Sequence, residues 1–162
     1  MIETIIQAIW LVLGALLPLI PLAIIAWHDL KTKTITNKQL ILLGLCMLPM
    51  IIYHWIYTGD IITNLATAAG FSVVLYLLYK SGKVPSGDIL LLLPFPFAFA
   101  FFDCLYLAGI ALIAHLIISF IIRKKESGAH AFAPSVLIGY AFLTVPSAVV
   151  LIPQIIEVLL LI

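Results

Sequence analysis

Residues 104–125 read CLYLAGIALIAHLIISFIIRKK. From Cys104 to Ile122 there is no Asp, Glu, Lys or Arg, and three cations then follow in a row. As a helix rising ~1.5 Å per residue this run reaches about 28 Å, close to the ~30 Å hydrocarbon core of a bilayer. Working outward, the same pattern recurs along the chain. Thr4 to Trp27 lies between Glu3 and His28-Asp29. Leu40 to Tyr57 ends before Thr58-Gly59-Asp60, a turn signal, and Ile61 to Tyr79 reaches Lys80. Ile89 to Phe102 is flanked by Asp88 and Asp103, and Ala131 opens a last span with Pro146 and Pro153 as expected bends. The fold class that follows is all-α: a polytopic membrane protein with six transmembrane helices. Residues 1–162 then form a single membrane-embedded domain.

Composition agrees. Hydrophobic residues make up 65% of the chain, charged residues only 9%, and mean hydropathy is +1.29, too little charge to cover a water-soluble surface. Met1-Ile2-Glu3 offers no cationic n-region, so the first apolar run is expected to be a retained helix rather than a cleaved signal. Cys46 and Cys104 both sit in apolar runs, with spacing for neither zinc nor a disulfide framework.

Charge placement carries the topology. Lys31, Lys33 and Lys38 fall in the first loop, Lys80 and Lys83 in the third, and Arg123, Lys124 and Lys125 in the fifth; these are all 8 cations. The even loops hold Asp60 and Asp103 only. Under the positive-inside bias the odd loops are cytoplasmic and both termini face outward.

The fourth span is short. The residues from Ile89 to Phe102 reach only about 21 Å as a helix, so either the bilayer thins or a carboxylate is drawn below the surface. Pro94 and Pro96 add a kink and freed carbonyls, tolerated where neighbouring helices cover them.

Asp29, closing the first helix, and Asp88, opening the fourth, share the cation-rich face. Ionised carboxylates at membrane depth are costly and are usually paired or functional. Two of them brought close cannot both ionise easily, and the pair can then act as general base and general acid on a peptide bond. Simpler roles exist for each: Asp88 as the N-cap after Ser86-Gly87, and Asp29 as an interfacial charge paired with Lys31 or Lys33. Asp60 reads as a turn residue or N-cap, His28 as interfacial, and Trp10, Trp27 and Trp55 as interfacial anchors. His54, His115 and His130 show no metal-ligand spacing, and His115 is suited to donate to a carbonyl.

Three strings add to this reading: His28-Asp29-Leu30-Lys31-Thr32-Lys33-Thr34-Ile35-Thr36-Asn37, Val84-Pro85-Ser86-Gly87-Asp88-Ile89-Leu90, and Ala131-Phe132-Ala133-Pro134-Ser135-Val136. Together they resemble the prepilin peptidase family, particularly its short archaeal branch of preflagellin and class III signal peptidases. In that family the first catalytic Asp ends helix one before a basic stretch with a later Ile and Asn. The second closes a Gly-x-Gly-Asp motif opening helix four, and a Phe-x-Pro segment opens the last helix. Pro85 stands here for the motif's first glycine, and Thr36 where many relatives carry proline. No Cys-x-x-Cys of a zinc-binding insert occurs.

The resemblance implies a six-helix membrane aspartic endopeptidase without methyltransferase activity. Its substrates would be pilin-like or archaellin precursors, whose basic leader is cut at the cytoplasmic membrane interface. Asp29 and Asp88 would be catalytic, with Lys33, Asn37 and Gly87 near the substrate. No metal or cofactor is implied, since an aspartyl pair needs only water; nor is a nucleic-acid partner, and membrane lipids surround the chain. The location would be the cytoplasmic membrane, multi-pass, with the active site facing the cytoplasm. Two other readings compete: a small ion or solute transporter using the Asp pair as a cation or proton site, and a non-catalytic assembly subunit.

Overall fold

The structure is a computed structural model that describes residues 2–57, 61–82, 85–122 and 131–160. Among these residues it is all helical. Asp60, Lys83, the Arg123-Lys124-Lys125 cluster and His130 lie outside the described residues.

Eight helical segments are described: α1 (Ile2–Leu16), α2 (Leu19–Thr32), α3 (Asn37–Tyr57), α4 (Ile61–Lys80), α5 (Ser86–Leu92), α6 (Phe95–Ala98), α7 (Phe101–Ile122) and α8 (Ala133–Leu160). Five stretches are long and apolar enough to cross a bilayer: Ile6–Thr32, Asn37–Tyr57, Ile62–Lys80, Phe101–Phe120 and Ala133–Glu157. The chain is thus a multi-pass membrane protein. The sixth expected span is different in kind. It runs from Ser86 to Ala98, is broken at Leu93-Pro94, and reaches only about 20 Å; Phe101 and Phe102 belong to α7.

The first span is two helices rather than one, and Pro18 is the cause. A proline has no N–H for the carbonyl four residues back, here that of Gly14. The chain turns at Leu17-Pro18, and the freed Gly14 carbonyl accepts the Tyr140 hydroxyl from α8 at 2.6 Å. Gly14 also marks the crossing with α3: a Cβ there would lie 2.8 Å from the Met50 Cβ. A second tight crossing joins α7 and α8, where a Cβ on Gly139 would meet the Leu107 carbonyl at 2.9 Å. Small residues at such points let helices approach in a solvent that offers no hydrophobic drive.

The α5–α6 unit is held by its neighbours. Trp55 on α3 donates from Nε1 to the Phe97 carbonyl at 2.9 Å, satisfying a terminal group of α6. Trp55, two residues from the end of α3, thereby clamps α6 to α3. Trp27 is 61% exposed, with the Lys31 ammonium 4.4 Å from its ring centre.

A core of Leu22, Ile25, Leu43, Met47, Leu91, Phe95, Val136 and Tyr140 fills the middle of the bundle. Phe95 and Phe99 stack at 6.3 Å, and each meets Tyr140 edge-on at 5.8 and 5.9 Å. Helix direction alternates along the chain, so α2, α4 and α7 finish at the end where α3, α5 and α8 begin. Lys31, Lys33, Lys38 and Lys80, the cations among the described residues, all lie at that end.

Candidate active site

Asp29 sits on the stripe Leu22, Ile25, Ala26, Asp29, the buried face of α2. Spacing of three and four residues puts these side chains on one side of a helix, so the carboxyl points inward where its neighbours are apolar. It is 4% exposed. The helix continues one turn beyond it to Thr32, so Asp29 lies inside α2 rather than at its end. Asp29 is not paired with Lys31: its Oδ2 accepts the backbone N–H of Ala133 at 3.0 Å. Ala133 is the first residue of α8, where backbone donors lack intrahelical partners and the helix dipole is positive. The carboxylate thus caps a helix 104 residues away in sequence, which fixes the orientation of one oxygen.

Asp88 occupies the third position of α5, after Pro85 as N-cap and Ser86-Gly87. It is not the N-cap itself, although its acid lies in the favourable first turn. It precedes the apolar run that begins at Ile89, outside the segments that cross the bilayer. Burial raises its carboxyl from the ordinary range to about 6, and the nearby charge of Asp29 adds to the rise. The two acids are therefore at one end of the bundle and within electrostatic reach of each other.

The α2–α3 connection brings α5 into place. Lys33 adopts the left-handed conformation, φ 55°, and its N–H closes on the Asp29 carbonyl at 2.9 Å. Glycine or Asn usually fills such a helix-ending position; a lysine there costs on the order of 1–2 kcal/mol. Beyond the reversal, His28 Nδ1 donates to the Thr34 carbonyl at 2.9 Å, and the Thr32 hydroxyl lies 3.1 Å from the same nitrogen. The folded-back loop sets Ile35 against Gly87, where an added Cβ would meet the Ile35 Cβ at 3.6 Å, an ordinary contact.

Pro85 has φ −57° and ψ 143°, an extended conformation that proline adopts without strain. Nothing at that position requires a glycine.

Lys33 and Asn37 are both exposed, Lys33 closing α2 and Asn37 opening α3, and Gly87 precedes Asp88 in sequence. Two features have weaker traces in the sequence. Thr36 and Gln39 form a reciprocal capping box at the start of α3: Thr36 N–H to Gln39 Oε1 at 2.9 Å, and Gln39 N–H to Thr36 Oγ1 at 3.4 Å. The Thr-x-x-Gln spacing before an apolar run is its visible signal. The other is the Ala133 N–H, which has no signal in side-chain identity. Near it, His115 meets Phe132 edge-on at 5.5 Å and lies 3.5 Å from the Ser119 hydroxyl, with no metal-binding group of three or more His, Cys, Asp or Glu among the described residues.

Chemically, one oriented carboxylate beside a second that holds its proton toward neutral pH can polarise water and donate a proton in the same step. No protein-family model, curated protein or solved structure matches this chain.

Proposed function

We propose that the chain is a membrane-embedded aspartic endopeptidase that cuts the basic leader from pilin-like or archaellin precursors at the cytoplasmic interface. The observation that carries this reading is the unequal carboxyl pair. Asp29 is held by the Ala133 N–H, and Asp88 is raised to about 6 by burial and by Asp29. Asp29 takes the proton from a water molecule as its oxygen attacks the scissile carbonyl carbon. Asp88 gives its proton to the carbonyl oxygen. Collapse of the tetrahedral diol breaks the C–N bond as Asp29 passes its proton to the leaving amine and one diol hydroxyl returns its proton to Asp88, which restores both carboxyl groups to their starting states. Lys33 and Asn37, exposed at the two ends of the α2–α3 connection that follows Asp29, are suited to contact the polar leader while the substrate's apolar helix stays in lipid.

The transporter alternative asks for a path from the pair to the opposite end. Against it stands the closed core, with Tyr140 fully buried among Phe95 and Phe99.

The test is incubation of detergent-purified protein with leader-bearing precursors, followed by sequencing of the new N-terminus. Asp29→Asn and Asp88→Asn should each abolish cleavage, by at least about 10³-fold, while leaving the thermal transition cooperative. A variant at either position that still processes precursor removes the assignment.

A further inference from the structure

Asp29 and Asp88 lie on helices far apart in sequence, and the α2–α3 connection leaves the first helix to touch the second. At its start Lys33 is the one non-glycine residue with positive φ among the described residues. Such a conformation persists only where surrounding contacts over-determine it. Here they form a closed polar circuit around His28.

The chemistry of the atoms fixes the direction of each bond. The Thr34 carbonyl can only accept, so His28 Nδ1 must carry the hydrogen that spans the 2.9 Å between them. Nδ1 then cannot accept from Thr32, whose hydroxyl instead donates to the His28 carbonyl at 2.9 Å. The Thr34 hydroxyl completes the circuit by donating to Thr32 Oγ1, also at 2.9 Å. These bonds bridge the reversal at Lys33 from both sides. Protonating the ring adds a hydrogen at Nε2 and leaves Nδ1–H in place, so the bond to Thr34 stands in either charge state.

The residue after Thr34 carries the effect to α5. A Cβ added to Gly87 would have three Ile35 atoms as its nearest neighbours, at 3.6, 3.8 and 3.9 Å. Ile35 thus lies over the start of α5, one residue before Asp88. With seven residues, α5 is far too short to hold itself in place without packing. His28 adjoins Asp29 in α2, and the carbonyl it holds adjoins Ile35, so a continuous path of contacts joins the two acid-bearing helices.

We infer that His28 is a positioning residue: by holding the Thr34 carbonyl it seats Ile35 on Gly87 and so sets the separation of Asp29 and Asp88. Its kinetic consequence rests on the peptidase reading, whereas its geometric consequence does not.

The experiment uses the full chain in detergent. His28→Asn places an amide nitrogen where Nδ1 stands, His28→Gln places one where Nε2 stands, and His28→Ala supplies neither. None of these side chains ionises, so differences among them isolate the hydrogen bond. Infrared titration of the Asp88 carboxyl, its band assigned by loss in Asp88→Asn, needs no substrate. The midpoint, held near about 6 partly by Asp29, should be lower in His28→Ala and His28→Gln than in His28→Asn, because a loosened connection lets the acids part. On a leader-bearing precursor, kcat should fall on the order of tenfold in the Ala and Gln variants and recover in the Asn variant, with KM changed by less than about twofold. Ile35→Ala cuts the same path at its other end. It should lower the midpoint too, and adding His28→Ala to it should change little more. Equal midpoints in His28→Ala and His28→Asn, or additive effects of His28→Ala and Ile35→Ala, overturn the inference. If the parent protein cuts no precursor, the peptidase reading falls alone and the midpoints still decide this one.

Discussion

Asp88 is the residue on which pH acts most directly. Its carboxyl is raised to about 6, first by burial and second by Asp29. In the proposed reaction it must carry a proton, so kcat/KM, which reports the free enzyme, should fall as pH rises through about 6. Cleavage rates on a leader-bearing precursor between about pH 5 and 8 check this; a flat or rising profile contradicts the role. Asp29→Asn removes the second cause and leaves the first, so the Asp88 midpoint should move down only part of the way. Isotope-edited carboxyl infrared spectra of the inactive variant can follow it. Stability has the same sign. The folded state holds the Asp88 proton more tightly than the unfolded chain, so stability falls as pH rises from the ordinary carboxylate value of 3.8 to about 6. Asp88→Asn should therefore stabilise the protein at neutral pH, by on the order of 1–2 kcal/mol after discounting for partial exposure. The gain should vanish below about pH 4. That both acids stand at one end was legible in the sequence, because cations mark alternate loops and each Asp sits beside such a loop. That Asp29 is oriented by Ala133 was not, since a backbone N–H carries no residue identity and the contact exists only when α2 and α8 pack.

At the level of elements, proline placement was visible and its consequences only partly so. Counting from Ile89 to Phe102 announced a short fourth segment, and the structure shortens it further to Ser86–Ala98. The break at Pro18 was hidden inside an uninterrupted apolar run, because hydropathy does not register a missing N–H. Its compensation is testable as a pair. Tyr140→Phe leaves the Gly14 carbonyl without the hydroxyl that reaches it at 2.6 Å, in a core where an unsatisfied acceptor costs about 1–3 kcal/mol. Pro18→Ala would return an N–H to that carbonyl. In a double-mutant cycle followed by thermal denaturation, the cost of Tyr140→Phe should be smaller in the Pro18→Ala background than in the parent protein. Equal costs in both backgrounds would mean that Tyr140 acts through ring packing alone. Thr36 belongs at this scale too. Its hydroxyl caps α3, accepting the Gln39 N–H at 3.4 Å, and Thr36→Ala should cost about 1 kcal/mol.

For the whole molecule the decisive quantity is sidedness. The bundle has a cation-bearing end with Asp29 and Asp88, and an opposite end where α1 starts and α8 finishes. A peptidase that removes basic leaders before export needs the first end in the cytoplasm, which is also what the lysines Lys31, Lys33, Lys38 and Lys80 favour. Each sits where a helix meets the edge of the apolar zone, so reversing the protein would carry them all across the membrane together. Single introduced cysteines can read the orientation. Cys104 is buried and Cys46 half-buried, so both are first replaced by Ala. Lys33→Cys then marks the acid-bearing end, at an exposed residue already outside α2, and Tyr57→Cys marks the opposite end at the close of α3. In intact cells a membrane-impermeant maleimide should label the Tyr57→Cys protein and spare the Lys33→Cys protein, and inside-out vesicles should reverse the pattern. Labelling of the Lys33→Cys protein from outside would put Asp29 and Asp88 where no cytoplasmic leader reaches them. The peptidase proposal would then fail on geometry, even with both acids in place.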